Sequence, residues 1–428
     1  MSALSPRIEA LTQELAGDDA AAALERFWAE VAERGAPLIE AVPDKPDRRI
    51  VTFLWRQPDG AAPENVLAVA LLASADFADM RLTRLGSSDV WYRSHIVRSN
   101  VRTVYQMATN DSLVPFYEDP DLLARMRNWT PDPLNPRTFD SAAPTDKPDG
   151  FRRLMSVLEL PDAEPMPWFE RAIGIPTGSV EQHRFASELL GNERDVWLYL
   201  PPGYDPAAEP YGLLLLFDGA EARYVLDAPG TLDALLAAGR IPPLVALMVS
   251  QVNRNDELPP NDRWVQFLAD ELLPWLHGRA HVSRDPARRI VSGLSYGGLC
   301  SAWCGLQRPD LFGNVLSQSG SFWWKPDPFE RDNPAVPGDA FEYEWLTGRY
   351  IAAPQLPLRF YLDVGTLEGL RLGNSITHLH ANRHMRDVLR LKGYEVHYQE
   401  YAGGHDYLWW RSTLADGLLA LVGREPGE

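Results

Sequence analysis

Cysteine is nearly absent from this chain. The only two, Cys300 and Cys304, stand four residues apart, a spacing that puts both on one face of a helix. No disulfide framework can be drawn from them and no metal-ligating neighbours accompany them, so they read as buried thiols. The N-terminus, Met1-Ser2-Ala3-Leu4-Ser5-Pro6-Arg7-Ile8-Glu9, lacks a basic stretch followed by an apolar one, and no signal peptide is expected. No apolar run reaches about 18 residues, so no transmembrane helix is expected either. Together these absences point to the cytoplasm. Positive charge is also scarce: 41 Lys and Arg face 59 Asp and Glu, a net charge of −18. That disfavours nucleic acid and membrane surfaces as partners. A small substrate is not excluded, since a few arginines can reverse the field inside one cleft.

A chain of 428 residues predicts two domains with an extension. Residues 1–40 read as a helical segment, with Ile8, Leu11, Leu15, Leu24, Phe27, Trp28 and Val31 at near-helical spacing. Gly17-Asp18-Asp19 divides it into two helices, with Asp18 or Asp19 as N-cap. Residues 41–170 read as a β-sandwich-like domain. It opens on a Pro- and charge-rich linker over 41–49. Short strand-like runs follow at Ile50–Trp55, Val66–Leu72, Trp91–Val97 and Val101–Met107. Trp55, Trp91 and Tyr105 are expected in its core rather than on a ligand face. A Pro- and Asp-rich stretch from Asp119 to Pro167 reads as a long irregular connection able to wall a cleft.

Residues 171–428 change to alternating strands and helices. Leu213–Phe217 and Leu244–Val249 are continuous apolar runs, the pattern of strands covered on both faces. Arg289-Ile290-Val291-Ser292 reads as a strand, Gly293-Leu294-Ser295-Tyr296-Gly297 as a sharp turn, and Gly297–Leu306 as the helix after it. That strand–turn–helix setting makes the Gly-x-Ser-x-Gly string a nucleophile elbow and the fold an α/β-hydrolase with a mostly parallel sheet.

Ser295 needs a base. His405, in Gly403-Gly404-His405-Asp406 just after the last predicted strand, has the right place in the chain order Ser, acid, His. His378, His380, His384 and His397 read as structural. The orienting acid should follow the strand Leu358–Val364. Glu368 lies in the loop beyond it, Asp363 lies within it, and a Ser–His dyad without an acid is the third possibility. Asp406, adjacent to His405, is poorly placed to aim at its ring. An oxyanion hole needs two backbone N–H groups. Tyr296 supplies one and Gly219, in Phe217-Asp218-Gly219-Ala220, the other, with Ala220 as alternative and Asp218 as a brace for the loop.

Several longer strings then follow in order: Leu216-Phe217-Asp218-Gly219, Arg254-Asn255-Asp256-Glu257-Leu258-Pro259-Pro260-Asn261, Glu271-Leu272-Leu273-Pro274, the elbow, Ser317-Gln318-Ser319-Gly320-Ser321-Phe322-Trp323-Trp324, and the Gly-Gly-His-Asp loop. Upstream stand Val51-Thr52-Phe53-Leu54-Trp55-Arg56 and Pro133-Leu134-Asn135-Pro136-Arg137. In this order they resemble the enterochelin (enterobactin) esterases of the two-domain type, over roughly residues 45–425. The resemblance implies a cytoplasmic serine hydrolase that opens the trilactone of a catecholate siderophore. It implies Glu368 as the acid, no cofactor, and iron carried by the substrate rather than by a metal site. It also implies that Trp323, Trp324, Tyr296 and Trp409 stack on catechol arms and that Arg254 meets an anionic ferric complex. Asp327–Tyr350 carries Asp327, Glu330, Asp332, Asp339, Glu342 and Glu344, which would repel such a complex if they lined its cleft. Competing readings are a carboxylesterase for acylated carbohydrate, an acyltransferase using the same acyl-enzyme, and a non-catalytic siderophore-binding protein on a hydrolase scaffold. The last makes no use of Ser295, His405 and Glu368 together.

Overall fold

The computed structural model describes residues 5–70, 72, 77–115, 118–142, 154–170, 172–326, 344–369 and 376–424. Two helices come first, Pro6–Leu15 and Ala20–Arg34. The Ser5 side chain caps the first by accepting the Ile8 N–H at 3.2 Å, and Asp19 is the N-cap of the second. Their apolar stripes, Ile8, Leu11, Phe27, Trp28 and Val31, pack with Leu38, Leu54 and Val90 of the neighbouring strands. The helical segment ends earlier than the expected residue 40. Gly35, at φ 80°, closes the second helix, and Pro37 cannot continue it. The expected linker over 41–49 is strand instead. Strands β1 (Leu38–Val42) and β2 (Lys45–Arg56) form a hairpin. The residues that looked like a linker occupy the exposed start of β2, where Pro and charge are tolerated.

The remaining strands of this half are β3 (Val66–Val69), β4 (Thr83–Arg84), β5 (Val90–Arg98), β6 (Arg102–Thr109), β7 (Thr138–Asp140) and β8 (Leu154–Glu159). They form two four-stranded sheets, β1-β2-β5-β4 and β3-β6-β8-β7, with antiparallel pairing. Val51, Phe53, Trp91 and Val97 from one sheet meet Val66, Ala68, Tyr105, Met107 and Leu158 from the other, which makes a β-sandwich. Trp91 and Tyr105 are in its core, as expected, and Trp55 packs against it. The stretch from Asp119 to Pro167 is less irregular than its composition suggests, because β7 and β8 lie within it. In β8 only Ser156 and Leu158 are buried, a pattern too short to stand out among Pro and Asp.

The second half carries β9 (Ser179–Ser187), β10 (Asn192–Leu200), β11 (Gly212–Phe217), β12 (Leu244–Val249), β13 (Arg289–Leu294), β14 (Asn314–Gln318), β15 (Arg359–Gly365) and β16 (Glu395–Tyr401). They form one eight-stranded sheet in the order β16-β15-β14-β13-β11-β12-β10-β9. It is parallel from β16 to β12 and antiparallel at β10 and β9. In β11, Leu213, Leu215 and Phe217 enter one buried cluster while Leu214 and Leu216 enter the other. Helices cover both faces, and this is an α/β-hydrolase fold. Cys300 and Cys304 are buried free thiols. Among the described residues no helix is long and apolar enough to cross a membrane.

The carboxyl ends of the parallel strands gather at one edge, the usual place for a site in such a sheet. One approach to that edge is braced by a buried ion pair. Arg194 of β10 lies 2.9 and 3.1 Å from the Glu257 carboxylate. Its guanidinium also sits over the Trp264 and Phe267 rings. Glu257 accepts the Val252 N–H at 3.0 Å, which fixes the loop after β12. Glu257→Ala would leave the Arg194 charge buried and unpaired. It is expected to cost about 3–5 kcal/mol and to lower the urea midpoint of unfolding; an unchanged midpoint would contradict the pairing.

Candidate active site

A tight turn joins β13 to the helix Tyr296–Gln307. Ser295 occupies it at φ 56°, ψ −117°, a conformation that costs a non-Gly residue about 1–3 kcal/mol. Its neighbours hold it there. The Ser295 N–H donates to the Gln318 carbonyl at 2.9 Å, and its own carbonyl accepts from Ser321 N–H at 3.0 Å and Leu299 N–H at 3.1 Å. The turn closes so far that a Cβ on Gly293 would lie 2.5 Å from the Gly297 carbonyl carbon, so only Gly fits.

Three side chains from three strand ends then line up. The Ser295 Oγ lies 3.0 Å from His405 Nε2. The His405 Nδ1 lies 2.6 Å from Glu368 Oε2. Glu368 projects from a single turn, Thr366–Gly369, directly after β15. Its other oxygen accepts the Ser319 hydroxyl at 2.6 Å and the Gly365 N–H at 2.7 Å, with the Tyr401 hydroxyl at 3.3 Å. Burial by itself would raise the Glu368 pKa. The charge and hydrogen bond of His405, with the Ser319 bond, outweigh it and hold the carboxyl down to about 2. An arrangement of this kind can take a proton from the hydroxyl while fixing the ring that receives it.

Of the carboxylates weighed from the sequence, Glu368 is the one on His405. Asp363 instead accepts the Ser319 N–H at 3.1 Å, and burial pushes its carboxyl up to about 8. Asp406 caps the following helix through the Trp409 N–H at 3.2 Å, and burial pushes it up to about 7. A dyad would leave His405 Nδ1 without a carboxylate, and here Glu368 stands against it.

Gly219 and Tyr296 each begin a helix, Gly219–Tyr224 and Tyr296–Gln307. At such positions the N–H points out along the axis. A Cβ on Gly219 would come 2.7 Å from the backbone of Val249 and Ser250. Asp218 braces this turn, as expected, but with Arg254 as its partner. The guanidinium Nε lies 2.6 Å and Nη2 2.8 Å from the two Asp218 oxygens, and Nη2 also reaches the Leu294 carbonyl at 3.3 Å. Arg254, expected to meet substrate charge, ties the Asp218 turn to the residue before Ser295 through Nε and Nη2.

The tryptophans divide. Trp323 is half-buried beside the site, 6.1 Å from the Tyr296 ring. Its indole N–H donates to His378 Nε2 at 2.8 Å. Trp324 and Trp409 are 7 % and 3 % exposed, which corrects their expected contact with a ligand. Trp324 packs edge-on against Trp345. Trp409 stacks on Tyr401 because the Asp406 cap turns the first turn of its helix inward. Of the acidic segment Asp327–Tyr350, residues 327–343 lie outside the described residues. Glu344 pairs with His384 at 2.9 Å.

Several neighbours were missed in the sequence. Ser319 and Ser321 lie inside the Ser-Gln-Ser-Gly-Ser string, a signal that was present but not resolved to roles. Ser321 Oγ is 3.3 Å from Ser295 Oγ and 3.4 Å from His378 Nε2. The ring of His378, read as structural, lies tilted against that of His405 with centroids 4.5 Å apart, and burial lowers its pKa to about 3. The Trp410 ring meets His405 edge-on at 4.7 Å, and its N–H reaches Ser319 Oγ at 3.1 Å. Among the described residues Glu368, His378 and His405 bring metal-type donors within 4.8 Å of one another. Here those donors bond to each other, to Ser295 and to Trp323.

Two outcomes are expected. Gly293→Ala forces the elbow open and should abolish labelling of Ser295 by a fluorophosphonate probe; labelling at the wild-type rate would contradict the packing. The Glu368 carboxyl is held below its ordinary value of 4.5, so the stability it contributes is complete above that value and is lost as the pH falls towards 2. Thermal unfolding over this window should fall more steeply for the wild type than for Glu368→Gln, and parallel curves would contradict the assignment.

Comparison with known proteins places the chain among esterases. The Esterase family model matches residues 187–421, and the model described as enterochelin esterase, N-terminal, matches residues 50–169. The chain is 32 % identical to the iron(III) enterobactin esterase of Dickeya dadantii, over 94 % of each chain. It is 28 % identical to the iron(III) salmochelin esterase of Escherichia coli O6:H1, over 93 % of each. Among solved structures it is similar to the ferric enterobactin esterase from Salmonella typhimurium, with a TM-score of 0.73 and 27 % identity over 93 % of this chain and 98 % of that one. The Shigella flexneri enterobactin esterase crystallised in the presence of enterobactin gives a TM-score of 0.68 and 27 % identity, over 90 % of this chain and 95 % of that one. The chain belongs to the enterochelin esterase family and is a carboxylic ester hydrolase.

Proposed function

We propose that this protein hydrolyses the ester bonds of a catecholate siderophore trilactone through a serine acyl-enzyme. The observation that carries the chemistry is the continuous line from Glu368 through His405 to Ser295, at 2.6 and 3.0 Å. Relatives named for iron(III) enterobactin and salmochelin support the substrate class, as does the relative crystallised with 2,3-dihydroxy-N-benzoyl-serine.

In the reaction, Ser295 Oγ forms a bond to the ester carbonyl carbon as its proton passes to His405 Nε2. Negative charge gathers on the carbonyl oxygen, against the backbone N–H groups of Tyr296 and Gly219. Glu368 keeps the ring in the tautomer that receives the proton and offsets the positive charge that forms on it. The tetrahedral species expels the alcohol of the next seryl unit, which takes the proton from His405. Water, activated by the same ring, then releases the acid and restores Ser295. Iron enters as part of the substrate, and opening the ring unties the three catecholate arms that hold it.

Trp323 and Tyr296, half-buried beside Ser295, offer aromatic faces to those arms. Residues 171–428 serve as the esterase unit and residues 41–170 as its β-rich companion. Two buried free thiols suit the cytoplasm, where reductants keep cysteine unpaired.

Ferric and iron-free enterobactin mixed with the protein should give linear trimer, dimer and 2,3-dihydroxybenzoyl-serine. Ser295→Ala should give none while still binding ligand; products at the wild-type rate from that variant would overturn the mechanism. Glu368→Gln should lower kcat by about 10²–10⁴-fold, and a loss under about tenfold would remove Glu368 from the role.

A further inference from the structure

The loop that carries His405 is flexible by composition, since Gly403 and Gly404 precede the histidine and Gly loses more freedom on ordering than any other residue. Three of the bonds that order it come from the other domain. At the start of β6 the Arg102 N–H donates to the Ala402 carbonyl at 2.9 Å. The Arg102 carbonyl accepts the Trp409 indole N–H at 2.6 Å. The Thr103 hydroxyl donates to Asp406 Oδ2 at 3.3 Å. Two consecutive residues of the β-sandwich thus grip positions on both sides of Gly403-Gly404-His405. Behind them, Val104 packs with Leu408.

Both ends of this clamp are fixed. Arg102 is anchored by its Nε on Glu159 of β8 at 3.0 Å. Trp409 lies stacked on Tyr401, with ring centres 4.6 Å apart. The acid is docked in the same way: Leu367, next to Glu368, packs against the sandwich core. The Leu367 N–H donates to the Gly403 carbonyl at 3.0 Å, which joins the two loops to each other. Among the described residues, the bonds that hold Ser295 come from its own domain.

We propose that the β-sandwich is a positioning element for the reaction. Thr103 and the Trp409–Arg102 bond set the distance and aim of His405, and Leu367 does the same for Glu368, whatever ester occupies the site. The inference rests on the reading of Ser295 and His405 given above. It predicts that breaking the clamp slows turnover even of a substrate too small to touch the sandwich.

The test uses the full-length protein and p-nitrophenyl butyrate, which has no catechol arms. The variants are Thr103→Val, Trp409→Phe, their combination, and Thr103→Ser as the conservative rescue. Misplacing a reacting group by about 1 Å can cost about 10²-fold. Each single variant is therefore expected to lower kcat by about tenfold and the pair by about 10²-fold, with KM changed less than about twofold. The rate of fluorophosphonate labelling should fall in parallel, and Thr103→Ser should keep near wild-type values. Thermal unfolding identifies folded variants; if Trp409→Phe does not fold, Thr103→Val against Thr103→Ser decides. A folded Thr103→Val with unchanged kcat and labelling, or a loss confined to KM, would overturn the proposal. Ser295→Ala runs as the control: if it still hydrolyses the p-nitrophenyl ester, the reading of the site fails rather than the clamp.

Discussion

One buried charge organises this molecule. The Glu368 side chain is 2 % exposed, and a carboxylate at such depth costs several kcal/mol unless its oxygens are satisfied. The donors that satisfy it come from the ends of three strands: Ser319 after β14, Gly365 at the end of β15, and Tyr401 at the end of β16, with His405 just beyond. Ser319 is turned to φ 46° and held there by the Asp363 carbonyl and carboxylate. Trp410 donates to the same Ser319 oxygen. Satisfying one anion has fixed the relative positions of three loops, and the ring of His405 is aimed as a by-product.

A second anion does a similar service on the other side of the elbow. Asp218 holds Arg254, and Arg254 reaches the carbonyl that precedes Ser295. The turn after β11 and the turn after β13 are therefore tied across their shared edge. Between the two carboxylates, the strained serine has little room to relax. Such strain persists only where the surroundings over-determine it.

The sequence made the esterase half readable because its signals are local. Apolar runs marked β11 and β12, and Gly-x-Ser-x-Gly between strand and helix marked the elbow. The chain order then led to His405. What it concealed depends on side-chain direction. Asp363 and Glu368 stand five apart near the end of one strand, and only the backbone path tells which of them faces the imidazole. Trp409, four residues from His405, looks like a cleft wall until the Asp406 cap turns it inward. Thr103 meets Asp406 across 303 residues, and His378 reaches His405 from a helix. Neither pairing leaves a trace in spacing. The linker that proved to be a hairpin, and β8 within the Pro- and Asp-rich stretch, were hidden by composition that suits exposed strand ends as well as loops.

The order of the large sheet has one more consequence. Its outermost strands are β9 and β16, and each leaves a row of backbone donors and acceptors open to any extended chain that drifts alongside. Both carry charge along that margin: Glu181 and Arg184 on β9, Glu395 and Glu400 on β16. Several are paired within the chain, Arg184 with Glu193 and Asp195 on one side and Arg383 with Glu400 on the other. A strand arriving from outside would have to strip water from these groups and disturb those pairs before forming its first ladder bond. Charge on the margins of the sheet thus raises the cost of edge-to-edge pairing.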